Sequence, residues 1–278
     1  MRARTAVIPA AGLGTRFHPA TKAIPKELLP IIDTPALQLV IDEAVAAGMH
    51  RIVIVTSRTK PALEAYVAAA PEVVARKGAD GPAVTVQFAY QDQPRGLGHA
   101  VACAREAVGD EPFAVLLPDE IMGDPSLLAR LADECDRTGG SVVGLKRVPR
   151  AEVAAYGVVE PVGEPDGSGL VAISGMVEKP PVENAPSDLI IIGRYVLTPD
   201  VFDALERVEP GTSGEIQLTD ALRMQAASGP FHGVVGDVRR YDTGTPFGWL
   251  TAVVELALDD ERVGERFRVW LDQRTRRD

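Results

Sequence analysis

Residues 5–30 read TAVIPAAGLGTRFHPATKAIPKELLP, and most of the fold follows from how this stretch begins. The apolar run 5–8 has the residue types of a buried strand, and a glycine-rich turn follows it at once. Glycines, prolines and cations then occupy the place where an ordinary domain would set its first helix. A strand ending in an exposed backbone loop of this kind can hold phosphate. Gly12 and Gly14 let backbone N–H groups face an anion, and Arg16, Lys22 and Lys26 supply positive charge within a short span. A tight turn flanked by solvated basic residues fits the same letters. Two common phosphate motifs are excluded. Thr15-Arg16-Phe17 leaves out the third glycine of a dinucleotide fingerprint, and no Gly-Lys-Ser/Thr follows to make a P-loop.

Outward from this stretch, strand and helix patterns alternate. Short β-rich runs recur at 51–56, 84–90 and 113–117, with helical patterns between them. The clearest helix spans 35–47: Thr34 suits the N-cap, Pro35 the first turn, and Leu37, Val40, Ile41, Ala44 and Val45 recur at helical spacing, with Gly48 placed to close it. Strands separated by amphipathic helices predict βαβ units and a Rossmann-like α/β fold, with a central mainly parallel sheet flanked by helices. Such a sheet places ligands at strand C-terminal ends. Beyond residue 150 the pattern changes. Strands are expected in series at 156–161, 170–178 and 189–197, and the turn cluster 163–169 marks a smaller, hairpin-like β-rich insertion. Helices are expected near 199–207, 215–227 and 246–258. The tail 262–278 is charged, and only Phe267, Val269, Trp270 and Leu271 argue that it packs.

Composition sets outer limits. With 278 residues, 46% of them hydrophobic, the chain can bury a sizeable core. A net charge of −10 argues against nucleic acid as a partner, so polyphosphates would need a local basic cluster. Cys103 and Cys135 are the only cysteines, which excludes a disulfide framework or a Cys-rich zinc site and fits a reducing cytoplasm. No apolar run approaches a membrane span, and the apolar stretch after Met1-Arg2-Ala3-Arg4 is broken by Pro9, Gly12 and Gly14, so no membrane association is expected.

Three further stretches have chemistry of their own. In Gln91-Asp92-Gln93-Pro94-Arg95-Gly96-Leu97-Gly98-His99, a glutamine can donate and accept at once and so read a base edge, and two glycines allow close approach to a flat ring. A glycine-rich helix start explains the same residues, and His99 reads as structural. The strand 113–117 runs into Pro118-Asp119-Glu120, where carboxylates among phosphates would need a cation between them; magnesium is expected, although a solvated turn is equally ordinary. Glu178-Lys179 sits at a strand end, where neighbouring side chains point to opposite faces. The pair can serve one site only if the strand ends or bends there, as Pro180-Pro181 suggests.

Taken whole, the string 10–30 closely resembles the signature of the sugar-1-phosphate nucleotidylyltransferases, and in detail their bacterial uridylyltransferase branch; the resemblance returns at several stretches over nearly the whole chain. It implies a nucleotidyltransferase domain over 1–258, with a nucleotide-binding half near 1–150, a sugar-binding part near 151–245, and a separate tail at 259–278. It assigns Ala11, Gly12, Gly14, Arg16, Lys26, Gln91 and Gly96 to the nucleotide, and Gly157, Glu178, Lys179 and Gly193 to the sugar phosphate. It makes Asp119 the Mg²⁺ ligand, with Asp242 as a second candidate because related thymidylyltransferases use the matching aspartate; Glu120 would at most support Asp119 from behind. Arg16, Lys26, Asp119 and Lys179 would carry catalysis. The implied substrates are UTP and glucose 1-phosphate, the products UDP-glucose and pyrophosphate, and the implied assembly a homodimer or homotetramer. The same chemistry with dTTP or another sugar phosphate, a catalytically weak regulatory relative, and an NAD(P) oxidoreductase on a similar sheet are the alternatives. The missing third glycine disfavours the last. Residues 214–220 are family-like too, with no role beyond a helix start readable from them.

Overall fold

The opening apolar run becomes β1 (Thr5–Pro9), whose first four residues are all buried, as a strand covered on both faces requires. The protein is described here from a computed structural model, which covers residues 1–70, 83–211 and 214–275; residues 71–82, 212–213 and 276–278 lie outside the described ones. After a small hairpin of β2 (Pro30–Ile31) and β3 (Thr34–Pro35), the chain forms β4 (Arg51–Thr56), β5 (Thr85–Tyr90), β6 (Phe113–Leu116), β7 (Glu120–Met122) and β8 (Ser141–Arg147). The later strands are β9 (Gly157–Val162), β10 (Leu170–Glu178), β11 (Leu189–Leu197), β12 (Phe231–Val235) and β13 (Arg240–Asp242).

Nine strands make one sheet in the order β5-β4-β1-β6-β11-β8-β12-β10-β9. Its first part is parallel throughout, β4 with β5, β1 with β4 and β1 with β6, as the βαβ pattern predicts. Beyond β6 the neighbours are antiparallel except β8 with β12, because β9, β10 and β11 follow one another without crossover helices. The expected hairpin is there: β9 pairs with β10, turning through residues 163–169, where Asp166 Oδ1 accepts from the backbone N–H groups of Ser168 and Leu170. It extends the main sheet. β11 and β8 interleave the two stretches of chain, since β11 lies between β6 and β8.

Alternation along β1 splits the core between the two faces. Ala6 and Ile8 join Leu37, Val40, Ile41 and Ala44 of the helix Ala36–Ala46, with Leu127, Leu128 and Leu131 of the helix Ser126–Thr138. Val7 faces the other way, toward Val101, Phe202, Leu205 and Leu222. The first long helix starts one residue later than expected, at Ala36. Thr34 does not cap it; it belongs to β3, and its hydroxyl donates to Asp33. Gly48 closes that helix end as read, with its N–H on the Val45 carbonyl.

Several elements were not anticipated, among them β8, β12, the short strands β2, β3 and β7, and the helix Ser126–Thr138. The tail forms a helix, Gly264–Thr275, that packs on the helix Pro246–Asp259; Phe267 stacks on Trp270, yet Val269 and Trp270 stay exposed. Among the described residues, no helix is long and apolar enough to cross a membrane.

The order of the parallel strands locates the site. From β1 the chain goes outward to β4 and β5, then returns to β6 on the other flank of β1. The crevice beyond the C-terminal ends of β1 and β6 is therefore the place where such sheets bind ligands. The glycine loop leaves β1 there, and Leu117-Pro118-Asp119 leaves β6.

Candidate active site

Two adjoining cavities occupy this crevice. One, of about 430 Å³, is lined by Ala11, Gly12, Gly14, Lys26, Gln91, Gly96 and Asp119. The other, of about 270 Å³, is lined by Arg16, Asp119, Gly157, Glu178, Lys179, Gly193 and Asp242. Asp119, with Leu97 and Leu117, borders both. Every residue that the family resemblance assigns to the site thus lines at least one of the two, whereas Lys22, the third cation of the opening stretch, is exposed and lines neither. Arg16 departs from its expected grouping: it is exposed, lines the cavity of Glu178 and Lys179, and its guanidinium lies 3.5 Å from the Gly244 carbonyl. A larger hollow of about 710 Å³ along the helix Gly264–Thr275 contains none of these residues.

On the first side, charges are held in half-buried pairs. Lys26 Nζ donates to Asp119 Oδ2 at 2.5 Å. Burial works against both charges, but each outweighs it for the other: Lys26 titrates above its ordinary value and Asp119 below its own. Next to Lys26, Glu27 is buried and receives Lys60, whose ammonium also donates to the Ala10 carbonyl at 2.8 Å. Burial pulls Glu27 up and Lys60 down. Lys60 therefore ties the root of the glycine loop to the turn that bears Lys26. Sequence reasoning passed over it, and a lysine after Ser57-Arg58-Thr59 gives no signal of its burial.

Gln91 is buried beyond the end of β5, and its amide nitrogen lies 2.9 Å from both the Gly96 carbonyl and His99 Nδ1. The Gly96 carbonyl takes one amide hydrogen, and with the ring proton on Nε2 His99 Nδ1 takes the other; in that tautomer only the Gln91 oxygen is left for a base. The two glycines also have a different cause. A Cβ on Gly96 or Gly98 would lie 2.7 or 2.8 Å from the Ile216 carbonyl, so it is the chain's own segment that approaches so closely. That segment is the family-like stretch without a readable role. Ile216 bonds Arg95 and Gly98 through its backbone, and three residues on Thr219 Oγ1 donates to Glu178 Oε2 at 2.6 Å. It connects the Gln91 side to the Glu178 side.

On the second side, groups are presented from strand ends. β10 ends at Glu178, and Lys179 adopts φ 47°, a left-handed conformation uncommon for a residue with a side chain. This break in alternation lets two neighbours line one cavity, with Lys179 Nζ 3.4 Å from Glu178 Oε1. Gly157 stands opposite Glu178 in register, and Gly193 sits in the irregularity of β11 with φ 68°, where a Cβ would lie 2.9 Å from Glu120 Cγ.

The acids converge between the two sides. β7 pairs with β13, which sets Asp242 opposite Glu120 and beside Asp119. A Cβ on Gly244 would lie 3.0 Å from Asp242 Oδ1 and 3.1 Å from Asp119 Oδ2, so both carboxylates border one small space. No group of three or more His, Cys, Asp or Glu suited to a metal occurs among the described residues. Two carboxylates bordering one cavity still fit a hard divalent cation, whose other ligands would come from a bound anion and water. Glu120 lines the second cavity too, but its carboxylate is engaged: the Arg240 guanidinium grips both its oxygens, at 2.5 and 2.6 Å, while burial pushes its carboxyl up to about 7.

The turn that carries Asp119 hangs on a second arginine. Arg194 is fully buried, forks onto Glu43 of the helix Ala36–Ala46 at 2.7 and 2.8 Å, and donates to the carbonyls of Leu117, Gly193 and Glu120. Leu117 and Glu120 bracket Asp119. The signal was present in LIIIGRYVL: one cation in an otherwise apolar strand must be paired when buried.

The Nucleotidyl transferase family model matches residues 5–257. The chain is 41% identical to the UTP–glucose-1-phosphate uridylyltransferase of Bacillus subtilis (strain 168), covering 95% of this chain and 94% of the relative. It is 42% identical to UTP–glucose-1-phosphate uridylyltransferase 1 of Staphylococcus saprophyticus, over 94% of this chain and 95% of that one. Among solved structures, it resembles a UDP-glucose pyrophosphorylase complexed with UDP-glucose, with TM-score 0.84, 36% identity, and coverage of 93% and 100%. A UTP-bound enzyme of this kind from Acinetobacter baumannii gives TM-score 0.84 and 35% identity, with coverage of 97% and 98%.

Proposed function

The chain belongs to the nucleotidyl transferase family, and from that premise we propose that it transfers a uridylyl group from UTP to α-D-glucose 1-phosphate, giving UDP-glucose and pyrophosphate. The observation that carries this reading is the pair of cavities meeting at Asp119, one beneath a glycine loop and Gln91, the other faced by Glu178 and Lys179. A phosphate oxygen of the sugar substrate attacks the α-phosphorus of UTP. The bond from that phosphorus to the bridging oxygen breaks, and pyrophosphate leaves with the electron pair. No protein nucleophile is needed. The protein's task is to hold two anions in line against their repulsion.

Ala11, Gly12 and Gly14 present backbone N–H groups to the triphosphate. Lys26 exchanges Asp119 for phosphate oxygens, and Arg16 neutralises charge from the rim. Gln91 and Gly96 face the uracil, with the Gln91 oxygen accepting from N3–H. Glu178, Gly157 and Gly193 surround the hexose, and Lys179 binds its phosphate. Asp119, with Asp242 beside it, would hold the divalent cation common in this family, here Mg²⁺, which when bound offsets charge on the phosphates. In the proposed division, residues 1–150 serve mainly the nucleotide and 151–245 mainly the sugar.

Incubating the purified protein with a panel of nucleoside triphosphates and sugar 1-phosphates, and measuring pyrophosphate, tests the reading. Fastest release is expected with UTP and glucose 1-phosphate in the presence of Mg²⁺. Release that is faster with dTTP or with another sugar phosphate would reassign the substrates.

A further inference from the structure

Gln91 lines the first cavity, whereas His99 lies behind it on the helix Leu97–Ala102, outside the lining. A primary amide has two hydrogens, and here each has an acceptor 2.9 Å away: the Gly96 carbonyl and His99 Nδ1. A carbonyl can only accept, so this contact assigns the amide nitrogen to that side. Nδ1 can accept only in the neutral ring with its proton on Nε2. Burial and the neighbouring Arg95 both pull the His99 pKa down, which favours that form; Cys103 Sγ stands 3.9 Å from the same nitrogen. One acceptor would leave the amide free to pivot. Two fix its orientation.

We propose that His99 is a positioning residue for base selection, locking the Gln91 amide so that its oxygen, and not its NH2 group, is left for the base. The inference rests on the uridylyl reading above and sharpens it. Uracil and thymine offer N3–H to such an oxygen. Cytosine offers a bare N3 acceptor, and two acceptors face each other. The lock therefore sets discrimination between pyrimidines without touching the nucleotide.

The test compares kcat/KM for UTP and CTP at saturating glucose 1-phosphate in the wild type, His99→Phe and His99→Asn. Phenylalanine fills the ring's volume without an acceptor, whereas asparagine returns an acceptor oxygen near the place of Nδ1. The expected result for His99→Phe is a KM for UTP raised about tenfold and a UTP-to-CTP preference lowered about tenfold, with the KM for glucose 1-phosphate unchanged. His99→Asn should keep the wild-type preference. A folded His99→Phe protein with its preference intact, or one losing activity toward all substrates alike, overturns the proposal. If His99→Phe fails to fold, His99→Asn decides: a collapsed preference there overturns it. Nitrogen-15 NMR of the wild type should find the ring proton on Nε2; finding it on Nδ1 overturns the lock directly. Failure of the wild type to use UTP would instead defeat the underlying reading, whichever variant is examined.

Discussion

The two sides of the crevice are built differently. Around Lys26 and Gln91, polar groups are buried or half-buried and already partnered: Lys26 with Asp119, Lys60 with Glu27 and Ala10, Gln91 with Gly96 and His99. Around Lys179, the groups stand at a strand end and face outward, with the Lys179 side chain 61% exposed. The first side is organised before a ligand arrives. The second offers a flexible cation whose backbone is already bent to the task, and that flexibility is lost on binding. Substitutions on the two sides should therefore fail in different currencies: stability together with catalysis on the first, catalysis alone on the second.

The largest expected effect falls on the scaffold behind the first side. Arg194→Met leaves Glu43 buried and unpaired, and should cost about 3–5 kcal/mol in urea unfolding. The double variant Arg194→Met with Glu43→Leu removes both charges and should regain most of that stability, while turnover stays low because the carbonyls bracketing Asp119 lose their anchor. A double variant with normal turnover would break the link between this pair and the Asp119 turn. Next, Asp119→Asn should lower kcat about 10²–10³-fold. Near-normal turnover at saturating substrates and Mg²⁺ would remove Asp119 from the reaction. Glu120→Gln should reduce turnover less, since Glu120 answers to Arg240.

Lys179→Ala sharpens the contrast from the open side. It should raise the KM for glucose 1-phosphate about tenfold or more, leave the KM for UTP within about twofold, and leave Tm unchanged. Arg16→Ala should raise both KM values, because Arg16 borders the cavity of Lys179 while serving the triphosphate. A loss confined to UTP would restore the simpler division of labour. The smallest effect is in pH dependence. The folded-state pKa of Asp119 is lowered by Lys26, so the pair's stabilisation is present above the ordinary carboxylate range and is lost as pH falls through the lowered value. The gap in unfolding free energy between wild type and Lys26→Met should therefore narrow on acidification, and a gap that widened would contradict the pairing.

What the sequence could show follows the same contrast. Backbone-driven features were legible: the strands 51–56, 170–178 and 189–197 match β4, β10 and β11 to the residue, because their residue types and flanking turns act locally. The bend after Glu178 was legible as a requirement, and Lys179 at φ 47° meets it. Partnerships between distant residues were not. Nothing near Lys60 points to Glu27, because that contact exists only once β1 and β4 lie side by side. The glycines at 96 and 98 have a second cause that was hidden for the same reason: they accommodate Ile216, over a hundred residues away in sequence.

The interleaving of the sheet also bears on how the molecule is made. Until residues 189–197 have been synthesised and have left the ribosome, β6 has β1 on one flank and an open apolar edge, Phe113–Leu116, on the other. The native neighbour of that edge is β11, which also bonds β8, so a single late strand seals the early half of the chain and seats the later one. A nascent chain halted after β8 would expose that edge to other chains, and sheet edges of this composition invite association. The same strand carries Arg194, so the Asp119 turn gains its anchor only when β11 closes the gap between β6 and β8. Chemical competence is thereby coupled to the closing of that gap, and a chain that lacks β11 cannot present the Asp119 turn in its finished geometry.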